Sequence, residues 1–144
     1  MSIRFFNDRV KTKVSKRRNL IKFIEKVIRE EKKIPGDLNF IFTDDEYLLS
    51  VNKEFLKHNY YTDVIAFNDS QNAIISGEVY LSVERIRENA GKYKVKVKEE
   101  TLRVIIHAIL HLCGYDDKSK RDKKEMREAE DRYLQLFKKE NNVF

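Results

Sequence analysis

Between Thr101 and Cys113 the chain reads TLRVIIHAILHLC, thirteen residues that are apolar on almost every side. A segment of that kind has to be wrapped by the rest of the chain, so it constrains the fold more than any other stretch. Val104-Ile105-Ile106 alone would suit a strand, yet thirteen residues are long for one. Glu99 and Glu100 also stand where the positive end of a helix favours acids. The expectation is a buried helix closed by Gly114 as a left-handed cap. Two of the chain's three histidines, His107 and His111, lie inside it.

The material for wrapping that helix is present. The 144 residues, 41% hydrophobic with nine Phe and seven Tyr, are the length of one domain, expected over residues 1–144. IRFF near the start reads as a short strand. Leu20, Ile21, Ile24, Val27 and Ile28 repeat at helical spacing, and the helix should stop before Pro35-Gly36. Leu38 to Thr43 alternates like a strand. Thr43-Asp-Asp-Glu46 has the form of a capping box opening a helix to about Phe55. Asp63 to Phe67 and Gly77 to Val83 read as two more strands, with Ser82 able to cap a helix that carries Ile86 and Ala90 and ends at Gly91. KVKVK, from Lys94 to Lys98, is short and charged, so strand and loop stay open there. The last helix, from about Ser119 to Phe137, puts Met126, Ala129, Tyr133 and Phe137 on one side. Strands interspersed with helices, then helices alone, point to one α+β domain.

A single cysteine, Cys113, excludes an intramolecular disulfide and fits a reducing compartment. No secretory h-region is evident near the start, and no stretch approaches the roughly 20 apolar residues needed to span a bilayer. A cytoplasmic protein with no membrane partner is the expectation. Net charge is +6, with basic clusters at Arg9, Lys11, Lys13, Lys16, Arg17 and Arg18 and again from Lys92 to Lys98. Such density attracts polyanions, and a phosphate backbone is the commonest in a cytosol. A merely solvated, lysine-rich surface is the alternative. Few aromatics stand beside these clusters, so base stacking is not argued there.

On a helix, His107 and His111 share a face and present both imidazoles to one point. Gly114 then lets the chain reverse, so that Asp117 swings back toward it. Three protein ligands with an open fourth position is the layout of a catalytic zinc site. Asp116 competes with Asp117 for the third place, since one residue of register decides between them. The alternative is two core histidines, each donating to a carbonyl. Metzincin proteases share the spacing, but the position of their catalytic glutamate is Ala108 here, which neither takes nor gives a proton. Cys113 faces away from the histidines and is expected in the core; Tyr115 is expected to pack, and His58 to be a surface or packing residue.

HAILHLCGYDD, His107 to Asp117, resembles the H-G-x-L-H-L-x-G-Y-D-H signature of the YbeY family, metal-dependent endoribonucleases that mature ribosomal RNA. Upstream, YYTDVIAF is similar to the family's P-T-D-V-L-S-F segment, and SGEVYLSVERIRENA to its G-D-I-x-I-S stretch and following helix. The matches run in order from about Asn52 to Asp117. Three departures stand out. The third family histidine is Asp117, which makes the ligand set harder. The family's arginine falls on Leu56, with Lys57 or His58 as nearby cations. The glycine after the first histidine is Ala108, which favours the helix.

The resemblance implies a small mixed β-sheet of about four strands packed by five or so helices, with a zincin-like metal-binding helix buried centrally. It also implies single-stranded RNA as substrate, processing of the 16S rRNA 3′ end, a role in ribosome quality control and the small ribosomal subunit as partner. On this reading His107, His111 and Asp117 hold one Zn²⁺, or another divalent ion, whose bound water ionises near pH 7. No general base sits in the motif. Asp63 and Glu78 are the acidic candidates in the matching segments, with backbone binding or turn capping as the alternative for each. Two rivals remain: a ribosome-assembly factor that binds RNA without cutting it, its metal serving only stability, and an iron enzyme using the histidines and carboxylate as a facial triad.

Overall fold

Four strands form a mixed sheet in the spatial order β1 (Ser2–Asn7), β2 (Ile34–Thr43), β4 (Ile74–Ser82) and β3 (Val64–Asn68). The structure, a computed structural model, describes residues 1–141. β1 and β4 both run parallel to β2, while β3 and β4 are antiparallel neighbours. Five helices complete the described residues: α1 (Arg17–Glu30), α2 (Asp45–Leu56), α3 (Val83–Tyr93), α4 (Val97–Leu112) and α5 (Lys120–Asn141). The α+β class, the mixed sheet and the central helix agree with expectation. No helix among the described residues is long and apolar enough to cross a membrane.

Alternation along the strands sorts the two sheet faces. Leu38, Phe40, Ile75, Val79 and Leu81 turn to the side that α1 and α4 cover, and all are buried. α1 meets them with Phe23, Ile24, Val27 and Ile28. On the opposite face α2 lays Leu48 and Val51 over Ile65, flanked by Tyr47, Phe67 and Tyr80. α4 touches α1, α3, α5, β3 and β4. Its Ile105, Ile106, Ile109 and Leu110 are wholly buried, each stabilising the fold by roughly 1.5–3 kcal/mol through area removed from water. α5 closes the other flank with Met126, Ala129, Tyr133, Leu134 and Phe137. It is tied back to α1 by an edge-on Phe23–Phe137 ring pair at 4.9 Å and by the Tyr133 hydroxyl donating to Glu31.

Several local expectations are corrected. Thr43 does not cap α2: it ends β2, and its hydroxyl is buried without a partner. Asp44 is the N-cap, its Oδ1 accepting from Tyr47 N at 2.8 Å, and Glu46 accepts from the Tyr61 hydroxyl instead. β2 starts at Ile34 and runs through Pro35-Gly36, absorbing them as a shift of register before Leu38. β4 likewise starts at Ile74, ahead of Gly77. Gly77 is needed inside the strand, because a Cβ there would stand 2.3 Å from the Phe67 carbonyl oxygen. Gly91 does not end α3, which continues to Tyr93 with Lys94 in the left-handed region at φ 57°. KVKVK is neither strand nor wholly loop: α4 begins within it, at Val97, four residues before Thr101. α5 runs on past Phe137 to Asn141.

Candidate metal centre

The reversal after α4 builds the site. Gly114 has φ 111°, its N–H bonds to the His111 carbonyl at 3.0 Å, and the Tyr115 N–H reaches back to Leu110 at 2.9 Å. This is a Schellman turn, with glycine at the position that demands a positive φ. It delivers two groups to the exposed end of the histidine face. The Tyr115 carbonyl accepts from His111 Nδ1 at 3.1 Å. The Asp117 carboxylate comes to 3.4 Å from His111 Nε2 and 3.8 Å from His107 Nε2. One ligand atom from each of the three residues lies within 4.8 Å of the others, and all three side chains are partly buried. Asp116 is turned aside; its Oδ1 accepts from the Asp117 N–H. That settles the register between the two aspartates.

His107 is braced from the other side. Its Nδ1 lies 2.6 Å from Glu130 Oε2 on α5, and Arg103 Nη1 bonds the second oxygen of that carboxylate at 3.1 Å. Arg103 Nη2 also reaches Asp131 at 2.8 Å. With Nδ1 occupied on both rings, both Nε2 atoms are left for Asp117. This is how carboxylate and carbonyl partners fix the ring orientation of metal-binding histidines. Burial disfavours the imidazolium of His107, but the hydrogen bond and charge of Glu130, with Asp63 and Asp117 adding, outweigh it and raise its pKa. A metal binding there has to displace that proton, so affinity weakens as the pH is lowered.

Further acids line the same side of α4. Glu100, seven residues before His107, is 4% exposed, and burial, with Asp63 next, pushes its carboxyl up to about 7. Asp63 is raised too, by burial above all, with the nearby His107 pulling the other way. Asn89 Nδ2 donates to its Oδ2 at 3.4 Å, while its backbone carbonyl accepts from Ser82. Asp63 thus stands within the electrostatic reach of His107. Glu78 does not. Its neighbour Gly77 faces Leu112 of α4, so alternation turns Glu78 to the opposite, exposed side of the sheet. Cys113 does not join the cluster of ligand atoms formed by His107, His111 and Asp117; it packs against the main core, and burial pushes its thiol up to about 12. Tyr115 packs against the main core. His58 is exposed, stacked on Tyr60.

Glu130 and Arg103 escaped the sequence reading, though each left a trace. Glu130 falls on the stripe of Met126, Ala129 and Tyr133, where a carboxylate is out of place without a partner. Arg103 lies four residues before His107, on the same helix face. The basic clusters meet elsewhere. Lys13, Lys16, Arg87, Lys96 and Lys98 rim a cavity of about 600 Å³ whose floor includes Val14, Val83, Ile86, Leu102 and Ile105. Ile105 and His107 are about 200° apart around α4, so this hollow opens on the side away from the histidines.

The donor set fits a divalent ion. Ligand atoms on a tetrahedral Zn²⁺ at 2.0–2.1 Å stand roughly 3.3 Å apart, close to the 3.4 and 3.8 Å that separate the two Nε2 atoms from Asp117. Two imidazoles and a carboxylate also leave room for a fourth ligand.

Comparison with known proteins bears on what such a site serves. The family model described as Endoribonuclease YbeY matches residues 4–138. An endoribonuclease YbeY of Flavobacterium psychrophilum is 44% identical over 137 residues, spanning 95% of this chain and 98% of its own. That of Porphyromonas gingivalis W83 is 40% identical over 136 residues, 94% of this chain and 90% of its own. A solution structure from Thermotoga maritima superposes with a TM-score of 0.66 at 29% identity, covering 97% of this chain and 91% of that one. The match includes both histidines, the turn at Gly114, Asp117 and the bracing Glu130 in one continuous span: this chain belongs to the YbeY endoribonuclease family.

Proposed function

We propose that the chain is a metal-dependent endoribonuclease acting on single-stranded RNA, with His107, His111 and Asp117 holding one Zn²⁺ or another divalent ion. One observation carries the reading. Both imidazoles turn Nε2 to one carboxylate while acceptors hold both Nδ1 atoms, an orientation that packing alone does not call for. The relatives' name supplies the substrate class. Held by His107, His111 and Asp117, a Zn²⁺ would supply a water acidified to a pKa of roughly 7 and a positive charge facing a phosphate oxygen. Around it, Glu130 and the Tyr115 carbonyl keep the imidazoles in register. Asp63, its carboxyl raised by burial, is the group placed to take or hold a proton nearer neutral pH than an ordinary carboxylate. Following what the family resemblance implies, this activity belongs in the cytoplasm, in maturation of the 16S rRNA 3′ end and ribosome quality control, with the small ribosomal subunit as partner. Residues 1–144 act as one catalytic unit.

A second reading is favoured by Leu56, an exposed apolar side chain where the family carries arginine. It makes the chain a metal-stabilised RNA-binding assembly factor without catalysis. Metal content by plasma mass spectrometry, together with cleavage of single-stranded RNA by the wild type and His111→Ala, separates the two. Nuclease function gives about one equivalent of metal and cleavage, both lost in a folded variant. Metal without cleavage would leave the assembly factor, and a wild type that takes up no metal would sink both.

A further inference from the structure

Exposed apolar surface is unevenly spread over this molecule. Phe55, Leu56, Tyr60 and Tyr61, between 41% and 60% exposed, fall within seven consecutive residues at the end of α2 and the loop into β3. Contiguous exposure of large rings marks a contact surface. Here the rings are also held in place. Asn52, 1% exposed, donates Nδ2 to the Tyr60 carbonyl at 2.9 Å, and its own carbonyl accepts the His58 N–H. The His58 and Tyr60 rings stack at 5.1 Å and 19°, joined by a hydrogen bond of 2.9 Å between Tyr60 Oη and His58 Nδ1. Phe55 rests edge-on against Phe67 at 5.7 Å. Rings ordered beforehand lose little rotamer freedom when a ligand settles on them.

The loop leads into the candidate centre. Asp63 is the third residue after Tyr60, a span of at most about 11 Å, and Asp63 is coupled electrostatically to His107. Exposed Lys53 and Lys57 flank the rings.

Resting on the RNA reading above, we propose that the His58–Tyr60 pair is a stacking platform for unpaired bases of the substrate strand, on the loop that leads to Asp63 and the metal centre. Two stacked rings leave an outer face for a third, and any base offers a π-face, so such a platform binds single strands with little regard to sequence. Stacking then holds the strand where Leu56 offers no cation. The lysine-rimmed hollow across α4 differs, because its floor is mostly aliphatic and its rim basic; it attracts phosphate without engaging bases.

The test compares a fluorescent 2′-O-methyl octauridylate with an abasic ribose-phosphate oligomer of the same length, by anisotropy on the full chain, with oligomer integrity checked on a gel. The wild type should bind the uridylate at least about tenfold tighter than the abasic strand. Tyr60→Ala should remove most of that preference while leaving abasic binding unchanged. Tyr60→Phe, which keeps the ring, should stay within about twofold of the wild type. The chain has no tryptophan, so Tyr60→Trp gives a single emitter whose fluorescence the uridylate, and not the abasic strand, should quench. Equal affinity of wild type and Tyr60→Ala for the uridylate would overturn the platform and leave the RNA reading standing. A wild type that binds neither oligomer would overturn both. A Tyr60→Ala effect on oligomeric state alone would reassign the patch to a contact between protein copies and overturn the proposal.

Discussion

The two sides of α4 solve different problems with one helix. One side carries Glu100, Arg103, His107 and His111, and Arg103 and His107 are tied to Glu130 and Asp131 of α5 by charged hydrogen bonds as short as 2.6 Å. The other carries Thr101, Leu102 and Ile105 and borders the hollow of about 600 Å³. The first is directional: Glu130 and the Tyr115 carbonyl aim the imidazoles, and Arg103 holds the Glu130 carboxylate in turn. The second rests on non-directional packing, which tolerates empty space beside it. A helix with both sides apolar would have been more stable but unable to aim anything. The charges on the first side are kept for what they position.

The largest effect that would break this contrast is on the polar side. His111→Ala should lower metal affinity by more than about a hundredfold and abolish cleavage, with melting temperature of the metal-free protein almost unchanged; chelator competition and thermal melts read the two separately. On the apolar side the pattern should invert. Ile105→Ala should cost about 2–4 kcal/mol of stability, measured by urea unfolding, while the folded protein keeps its metal affinity. If Ile105→Ala loses metal as severely as His111→Ala, the two sides are not independent.

Finer tests sharpen the picture. Glu130→Gln keeps the shape of the brace and removes its charge, so metal affinity should fall about 10- to 100-fold with little loss of stability. Glu100 gives a signed pH effect. Its folded pKa, about 7, stands above its ordinary 4.5, so folding favours its protonated form. Its contribution is fully present below about pH 4.5 and is lost as the pH rises through about 7. Glu100→Gln should therefore match the wild type at pH 4.5. At pH 8 it should gain about 1 kcal/mol after allowance for screening by solvent, or about 4 °C in melting temperature. A variant that loses stability at pH 8 would show that Glu100 works charged, as a partner for Arg103.

The sequence disclosed what is local. His107, His111 and Asp117 are joined by a helical period and one glycine turn, both short-range rules, so their convergence was visible without the fold. Glu130 was not, because its role depends on how α5 docks against α4 across an intervening turn. Glu78 was placed among the acidic candidates by its segment, but a strand moves neighbouring residues to opposite faces, and that single step carried it away from the histidines. The strand start expected at Leu38 and the helix end expected at Gly91 were displaced by one cause. Residues that usually interrupt a strand or a helix were overruled where pairing with β4 and the packing of α3 made continuation favourable.

The reach of α5 has a consequence for biosynthesis. Glu130, which braces His107, lies on a helix that is also tied to α1 and its C-cap, through Phe137 to Phe23 and Tyr133 to Glu31. A growing chain can lay down the sheet and α4 well before that helix has been made. During this interval His107 has no acceptor on Nδ1, and its ring is free to turn. A segment made after α4 is thus the one that arms the centre, so a growing chain carries no finished metal centre beside the ribosome's RNA until α5 has been made and docked.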